Sequence, residues 1–270
     1  MGLSPSLVLT SAETGTRLAK ATIQGKYGSW TVLDVSALAG VESWRPLFSA
    51  ICTLLYRPPK FRAKALFIDM DSTLIKEESL DELARRRGCY DEVARLTTEA
   101  MAGKFSFAEA FRQRMALLGG MSLGEVEQVA AGLQFNCGAL ELVAACGRSG
   151  VRVYLVTGAM MPVAQVVARR AGIREVYANT LVLRAGKLSG ELAGDLVDGV
   201  AKGRFVRGVM AQHGLNRNEI IALGDGANDR YMLQEAGVAI GFNPKEVLYA
   251  YSNGVISCGD LGLVQWLLTR

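Results

Sequence analysis

The apolar positions of the chain fall into short unbroken runs separated by stretches of helical period. The runs are Ala65-Leu66-Phe67-Ile68, residues 151–156, Ile220-Ile221-Ala222-Leu223 and Val238-Ala239-Ile240. A strand with one wet face alternates apolar and polar residues, so a continuous run of this length predicts a strand buried on both faces, as in a parallel sheet. Helical periodicity marks residues 163–171, 203–213 and 228–235, between or after those runs. The alternation predicts an α/β fold with an open, doubly wound, Rossmann-like parallel sheet.

Two intervals break the rhythm. The first and second runs are roughly eighty residues apart, where an ordinary strand–helix connection takes about 2–6. Segments 78–87, 90–101, 107–118 and 123–132 inside that interval have helical period. They predict a helical cap inserted at about 77–135, directly above the exit of the first strand. The second interval, about 178–192, carries Ala185-Gly186-Lys187 between Thr-, Leu- and Val-rich flanks and predicts a small β-hairpin. Upstream, Arg57-Pro58-Pro59-Lys60 interrupts regular structure and marks a linker. Strands at 6–9 and 30–35 and an amphipathic helix at 41–56 predict a small α+β segment over 1–60, leaving 61–270 as the core.

Composition narrows the function classes. Half of the residues are hydrophobic and 21% are charged, so the chain can bury a core. The net charge of +4 is unevenly spread: residues 1–64 hold eight Lys/Arg against Glu13, Asp34 and Glu42, a surplus of +5, and the remainder carries −1. The body therefore lacks the broad basic field that nucleic-acid binding requires. The longest strongly apolar stretch, 47–56, is about half of the ~20 residues of a membrane span. The N-terminus lacks the basic-then-apolar order of an export signal. Five cysteines without C-x-x-C spacing read as reduced core thiols of a cytoplasmic protein. One histidine, His213, excludes a multi-histidine metal site.

In open parallel sheets, ligands bind beyond the carboxyl ends of the strands. The first run is followed by Asp69-Met70-Asp71-Ser72-Thr73, the second by Thr157-Gly158, and the third by Gly224-Asp225-Gly226-Ala227-Asn228-Asp229, while Lys202 opens the helix before the third strand. Up to four carboxylates, several hydroxyls and an ammonium thus converge on one edge. Such a cluster needs a cation, and all-oxygen donors favour Mg²⁺ over Zn²⁺. The cation and Lys202 would neutralise a bound phosphate, with Thr157 and the amides near Gly158 donating hydrogen bonds. Gly224-Asp225-Gly226 does not continue into a dinucleotide fingerprint, because Asp229 stands where the third glycine belongs.

These four motifs resemble those of the haloacid dehalogenase superfamily. Residues 69–75, Glu77-Glu78, Leu80-Asp81-Glu82-Leu83-Ala84, Glu99-Ala100-Met101 with Gly103, and Arg112 with Arg114 resemble its phosphoserine phosphatase branch, over about residues 65–268. The resemblance implies that Asp69 is the nucleophile and Asp71 the general acid and base. Asp69, the Asp71 carbonyl and Asp225 would hold Mg²⁺, Asp229 would support them, and Asn228 would support the site toward the substrate. Thr157, Gly158 and Lys202 would hold the phosphate. Glu78 and Arg114 would pair with the amino and carboxylate groups of phosphoserine, and Met101 and Phe107 would line the apolar side of the pocket. A homodimer is left open. The second motif departs from the Ser-Gly-Gly-Phe typical of that branch, reading Thr157-Gly158-Ala159-Met160. That departure keeps a second expectation alive, a related phosphatase for another small phosphomonoester. A non-catalytic phosphate-accepting sensor is the third, against which Lys202, Asp71 and the cap argue.

Overall fold

The computed structural model describes residues 19–25, 28–34, 53–54, 58, 60–257 and 260–268. Near the N-terminus, β1 (Ala19–Gly25) and β2 (Gly28–Asp34) pair antiparallel from Ala19↔Asp34 to Gly25↔Gly28. The strand expected at 30–35 falls largely within β2, whereas β1 is an addition; the strand expected at 6–9 lies outside the described residues. Of the helix expected at 41–56, the structure describes Thr53–Leu54, and these form a short strand, β3. The helical expectation fails there because this dipeptide finds a sheet edge to pair with.

That sheet is built from β4 (Ala65–Ile68), β5 (Arg152–Met160), β6 (Glu175–Asn179), β9 (Ile220–Gly224), β10 (Val238–Phe242) and β11 (Gly254–Ile256), with β7 (Leu181–Arg184) and β8 (Lys187–Leu192) diverted into an insertion. Among the described residues the strand order is β3-β11-β10-β9-β4-β5-β6, with six parallel strands and β3 antiparallel on the β11 edge. β4 lies between β9 and β5. The chain leaves it toward β5 and later returns to its other side as β9, so the crevice opens at the end of β4.

The apolar runs are continuous because both faces are covered. Leu66 and Ile68 enter one core with Leu155 and Leu223, while Ala65 and Phe67 enter the other with Tyr154 and Ala222. Helices α5 (Ala139–Arg148), α6 (Met161–Ala171), α7 (Gly199–His213) and α8 (Arg230–Glu235) accompany the sheet. Phe67 stacks on Tyr154 at 4.8 Å, and Phe205 of α7 stacks on Tyr177 of β6 at 4.3 Å. These rings seat α7, the lysine-bearing helix, on the sheet. Truncating a buried aromatic of this kind costs about 3–5 kcal/mol.

Four helices occupy the interval between β4 and α5: α1 (Ser79–Arg87), α2 (Tyr90–Met101), α3 (Phe107–Leu117) and α4 (Leu123–Gly132). Ser106 with Glu109, and Ser122 with Glu125, form capping boxes that start α3 and α4. The hairpin β7 (Leu181–Arg184) and β8 (Lys187–Leu192) turns through Ala185 and Gly186, both at positive φ, the pairing of a twisted two-residue turn. Its backbone bonds to the helical insertion: Gly120 N–H donates to Leu188 O, Leu188 N–H to Met121 O, and Leu123 N–H to Gly186 O. The helices and the hairpin are therefore stitched to each other. Cys146 is buried and Cys89 partly so, but Cys137 is exposed, which corrects its expected core placement. Among the described residues, no helix is long and apolar enough to cross a membrane.

Candidate active site

The exit of β4 is tied to that of β9 by Asp69 N–H donating to Leu223 O at 3.0 Å. The chain then makes one irregular turn over Met70–Leu74, closed by Leu74 N–H on Asp69 O and Ile75 N–H on Met70 O, with Ser72 at φ 55°. This turn brings Asp71 beside the start of α1, where Ser79 donates its N–H at 3.2 Å and its hydroxyl at 3.0 Å to the two Asp71 oxygens. At the β9 exit, Asp229 folds back so that Oδ2 accepts the N–H groups of Asp225 and Gly226. Glycine is required at 224, because a Cβ there would lie 2.3 Å from Asp229 Cγ. Lys202 stands in the first turn of α7, which Asp198 caps by accepting Ala201 N–H at 2.8 Å.

These elements meet at a buried ion cluster. Lys202 Nζ lies 2.6 Å from Asp69 Oδ1 and 2.8 Å from Asp229 Oδ1, and Lys202 and Asp229 are both 0% exposed. Asp69, Asp225 and Asp229 each present an oxygen within 4.8 Å of the others. Burial, then the Asp229 charge, pushes the Asp69 carboxyl well above its ordinary range, against the pull of Lys202. Burial alone would depress the Lys202 ammonium, but Asp229 and Asp69 override it and hold it above its usual value. Asp71 is pushed up to about 7, first by burial and then by the neighbouring Glu78 charge.

Three carboxylates against one buried ammonium leave excess negative charge; two such charges 4 Å apart repel by about 4 kcal/mol at an effective dielectric near 20. The donors are hard oxygens with no thiolate or imidazole among them, a set that fits a divalent cation of the oxygen-loving kind. Both Asp229 oxygens already accept hydrogen bonds, from Lys202 and from two backbone amides.

Lys245 was not expected at this site. Its Nζ lies 3.0 Å from Asp225 Oδ2, and its N–H donates to the Asp225 carbonyl at 2.8 Å. It follows the exit of β10, so reading the residues beyond that fourth apolar run would have found it. Asp225 is raised by burial, and Lys245 opposes the shift.

The other expected residues distribute as follows. Thr157 is buried, its Oγ1 accepting Ala159 N–H at 3.0 Å, which leaves the hydroxyl proton to donate elsewhere. Gly158 follows it on the β5 exit. Asn228 sits half-buried in the β9 loop. Glu78, at the start of α1, accepts Ser72 Oγ–H at 2.8 Å. Arg114, on α3, donates from Nε to Ala110 O at 3.3 Å and from Nη1 to Thr97 Oγ1 at 3.4 Å. Asp81 and Glu78 are the carboxylates whose fields reach it. Met101 and Phe107 end α2 and begin α3, and their side chains lie outside what the structure describes. Ala159 and Met160 are both buried in the larger core.

An open parallel sheet with acidic exits at β4 and β9, a buried lysine between them and a capped crevice defines a hydrolase of the Rossmann-like class. The family model for haloacid dehalogenase-like hydrolases matches residues 66–234, and the chain belongs to that family. It is 37% identical over 201 residues to a phosphoserine phosphatase of Archaeoglobus fulgidus, covering 74% of this chain and 58% of that protein. It is 39% identical over 204 residues to a phosphoserine phosphatase of Albidiferax ferrireducens, covering 73% and 86%. The chain spans only about half the length of some curated relatives, such as 51% of the phosphoserine phosphatase of Streptomyces coelicolor. Among solved structures, a phospho-aspartyl intermediate analogue of phosphoserine phosphatase superposes with a TM-score of 0.70 at 31% identity, over 77% of this chain and 100% of that one.

Proposed function

We propose that this protein hydrolyses O-phospho-L-serine to L-serine and phosphate, using Mg²⁺ and an aspartyl-phosphate intermediate. The observation that carries the reading is the buried Asp69–Lys202–Asp229 contact at the exit of β4. Its support from kinship is the 39% identity to a phosphoserine phosphatase covered over 86% of its length. Asp69, the Asp71 carbonyl and Asp225 would hold Mg²⁺, with Asp229 behind them; when bound, the ion offsets charge on the phosphate.

In the first step an Asp69 carboxylate oxygen attacks phosphorus while the bond from phosphorus to the serine oxygen breaks. Lys202 occupies Oδ1, fixing the carboxylate and screening it from the incoming anion. Asp71, held by Ser79 and pushed up to about 7, carries a proton near neutrality and delivers it to the leaving serine oxygen. The resulting Asp71 carboxylate then takes a proton from water, whose oxygen attacks phosphorus; the bond from phosphorus to Asp69 breaks and the carboxylate is restored. Thr157 donates its hydroxyl proton, and the Lys202 ammonium its field, to the phosphate oxygens, with the Gly158 backbone and Asn228 as further contacts to the substrate. Glu78 and Arg114 bind the amino and carboxylate groups, arginine by its planar fork.

The Ala159-Met160 departure favours a second reading, another small phosphomonoester as substrate. Burial of both side chains in the hydrophobic core weighs against it. Initial rates on L-phosphoserine and a panel of phosphomonoesters, with and without Mg²⁺, test the proposal. We expect kcat/KM for phosphoserine to exceed the rest by at least about tenfold and to collapse without the metal. Equal kcat/KM across the panel overturns the substrate assignment.

A further inference from the structure

Asn179 ends β6, and it is 0% exposed. Its amide is used at both ends: Nδ2 donates to Gly158 O at 2.7 Å, and Oδ1 accepts Val197 N–H at 2.8 Å. The first partner lies where the β5–β6 ladder loses its register, between Val156 and Met160. There the ladder is irregular across residues 157–159 of β5, and the Asn179 amide ties the Gly158 carbonyl to the end of β6. The second partner directly precedes Asp198, whose side chain caps α7 and whose carbonyl accepts the Lys202 N–H at 2.9 Å. The two partners also abut, since a Cβ at Gly158 would stand 3.4 Å from Val197 O.

We propose that Asn179 is a positioning residue for phosphate binding: one buried amide sets the irregular Thr157-Gly158 stretch of β5 against the start of the Lys202 helix, so that hydroxyl and ammonium face the same phosphate. This rests on the reading of the site given above. An amide is the group that serves, because one partner is an acceptor and the other a donor. A side chain of similar volume without that pair leaves the Gly158 carbonyl and the buried Val197 N–H without this partner, and the strand stretch shifts to satisfy them. The metal-facing carboxylates Asp69 and Asp225 hang from β4 and β9, and neither bonds to Asn179.

The test compares wild type with Asn179→Leu, which removes both bonds, and Asn179→Asp, which keeps the acceptor for Val197 but replaces the donor to Gly158. The second variant serves if the first fails to fold, as judged by circular dichroism. Three quantities are measured: competitive inhibition by inorganic phosphate, kcat and KM on phosphoserine, and Mg²⁺ affinity by calorimetry. We expect the phosphate inhibition constant to rise about tenfold and kcat/KM to fall about 10- to 100-fold, the scale of a sub-ångström to ångström misplacement. Mg²⁺ affinity should stay within about twofold of wild type, because the carboxylates have not moved. A folded variant with unchanged phosphate inhibition and only a lower melting temperature overturns the proposal, as does a variant that loses Mg²⁺ and phosphate affinity together. If wild type is itself neither active on phosphoserine nor inhibited by phosphate, the functional reading falls and takes this inference with it. Tight phosphate binding by wild type and variants alike removes the inference alone.

Discussion

Lys202 touches two carboxylates at a place that solvent does not reach, whereas Arg114, the other cation assigned to the substrate, lies half-buried on α3 with a carbonyl and a threonine hydroxyl as partners. Among the described residues, Arg114 makes no ion pair within 4 Å. Its potential partners Asp81 and Glu78 act on it through the field. The strand-exit cation is thus ion-paired within the protein, whereas the cap cation has no carboxylate within 4 Å among the described residues. Burial makes each charge in the first region interact strongly and leaves no tolerance for losing one. Solvent in the second region weakens each interaction, so substitutions there should tune affinity instead of abolishing the proposed reaction.

The largest effects should therefore come from the strand exits. Asp69→Asn removes the carboxylate proposed to attack and should lower kcat by at least about 10⁴-fold, with no acid-stable phosphoenzyme trapped from labelled substrate. Wild-type turnover in that variant would end the nucleophile assignment. Lys202→Met should lose activity and also about 3–5 kcal/mol of stability, because Asp69 and Asp229 would remain buried without their cation. Urea unfolding measures the second quantity, and a loss below about 1 kcal/mol would mean that the carboxylates hold themselves by taking up protons.

The same contrast decides what the chain's pattern revealed. The run Ala65-Leu66-Phe67-Ile68 announces a strand because both of its faces pack on cores, and the Asp69 and Asp225 positions follow from reading what comes after such runs. β11 has three residues and is held between β10 and β3, so its identity lies in neighbours far along the chain. β3 has two residues and sits in a segment of helical period; edge pairing overrode that preference. The helix α5 escaped notice because it adjoins the long insertion and carries no motif. Asn179 looked like the opening of the hairpin insertion, yet it completes a core strand, and its partners are 21 and 18 residues away. No local pattern reports such a bond. In the cap, Glu78 and Arg114 were reached through family resemblance, since a carboxylate and a guanidinium on helices look like ordinary surface charges.

Effects of cap substitutions should be smaller and selective. Arg114→Ala removes a charge-assisted bond worth about 1.5–3 kcal/mol, so KM for phosphoserine should rise about 10- to 100-fold. A phosphomonoester without a carboxylate should change less than about twofold in KM, and kcat should change little for either substrate. An equal rise for both would make Arg114 a structural residue of α3, and the contrast drawn between the two regions would fail at that point.

The smallest effect tests whether the regions are electrically joined. Glu78 belongs to the cap, yet its charge is the second cause that raises Asp71 in the core site, after burial. In the proposed first step protonated Asp71 is the general acid, so kcat/KM should fall as pH rises through about 7, the position to which Asp71 is pushed. Glu78→Gln withdraws one upward influence, and the Asp71 carboxyl then ionises more readily. The alkaline limb should move to lower pH, with the shift measured from the full kcat/KM profile on a substrate lacking an amino group. That choice of substrate separates the field of Glu78 from its contact with phosphoserine. A limb that stays in place would show that burial alone sets Asp71, and that the cap touches the substrate without touching the chemistry.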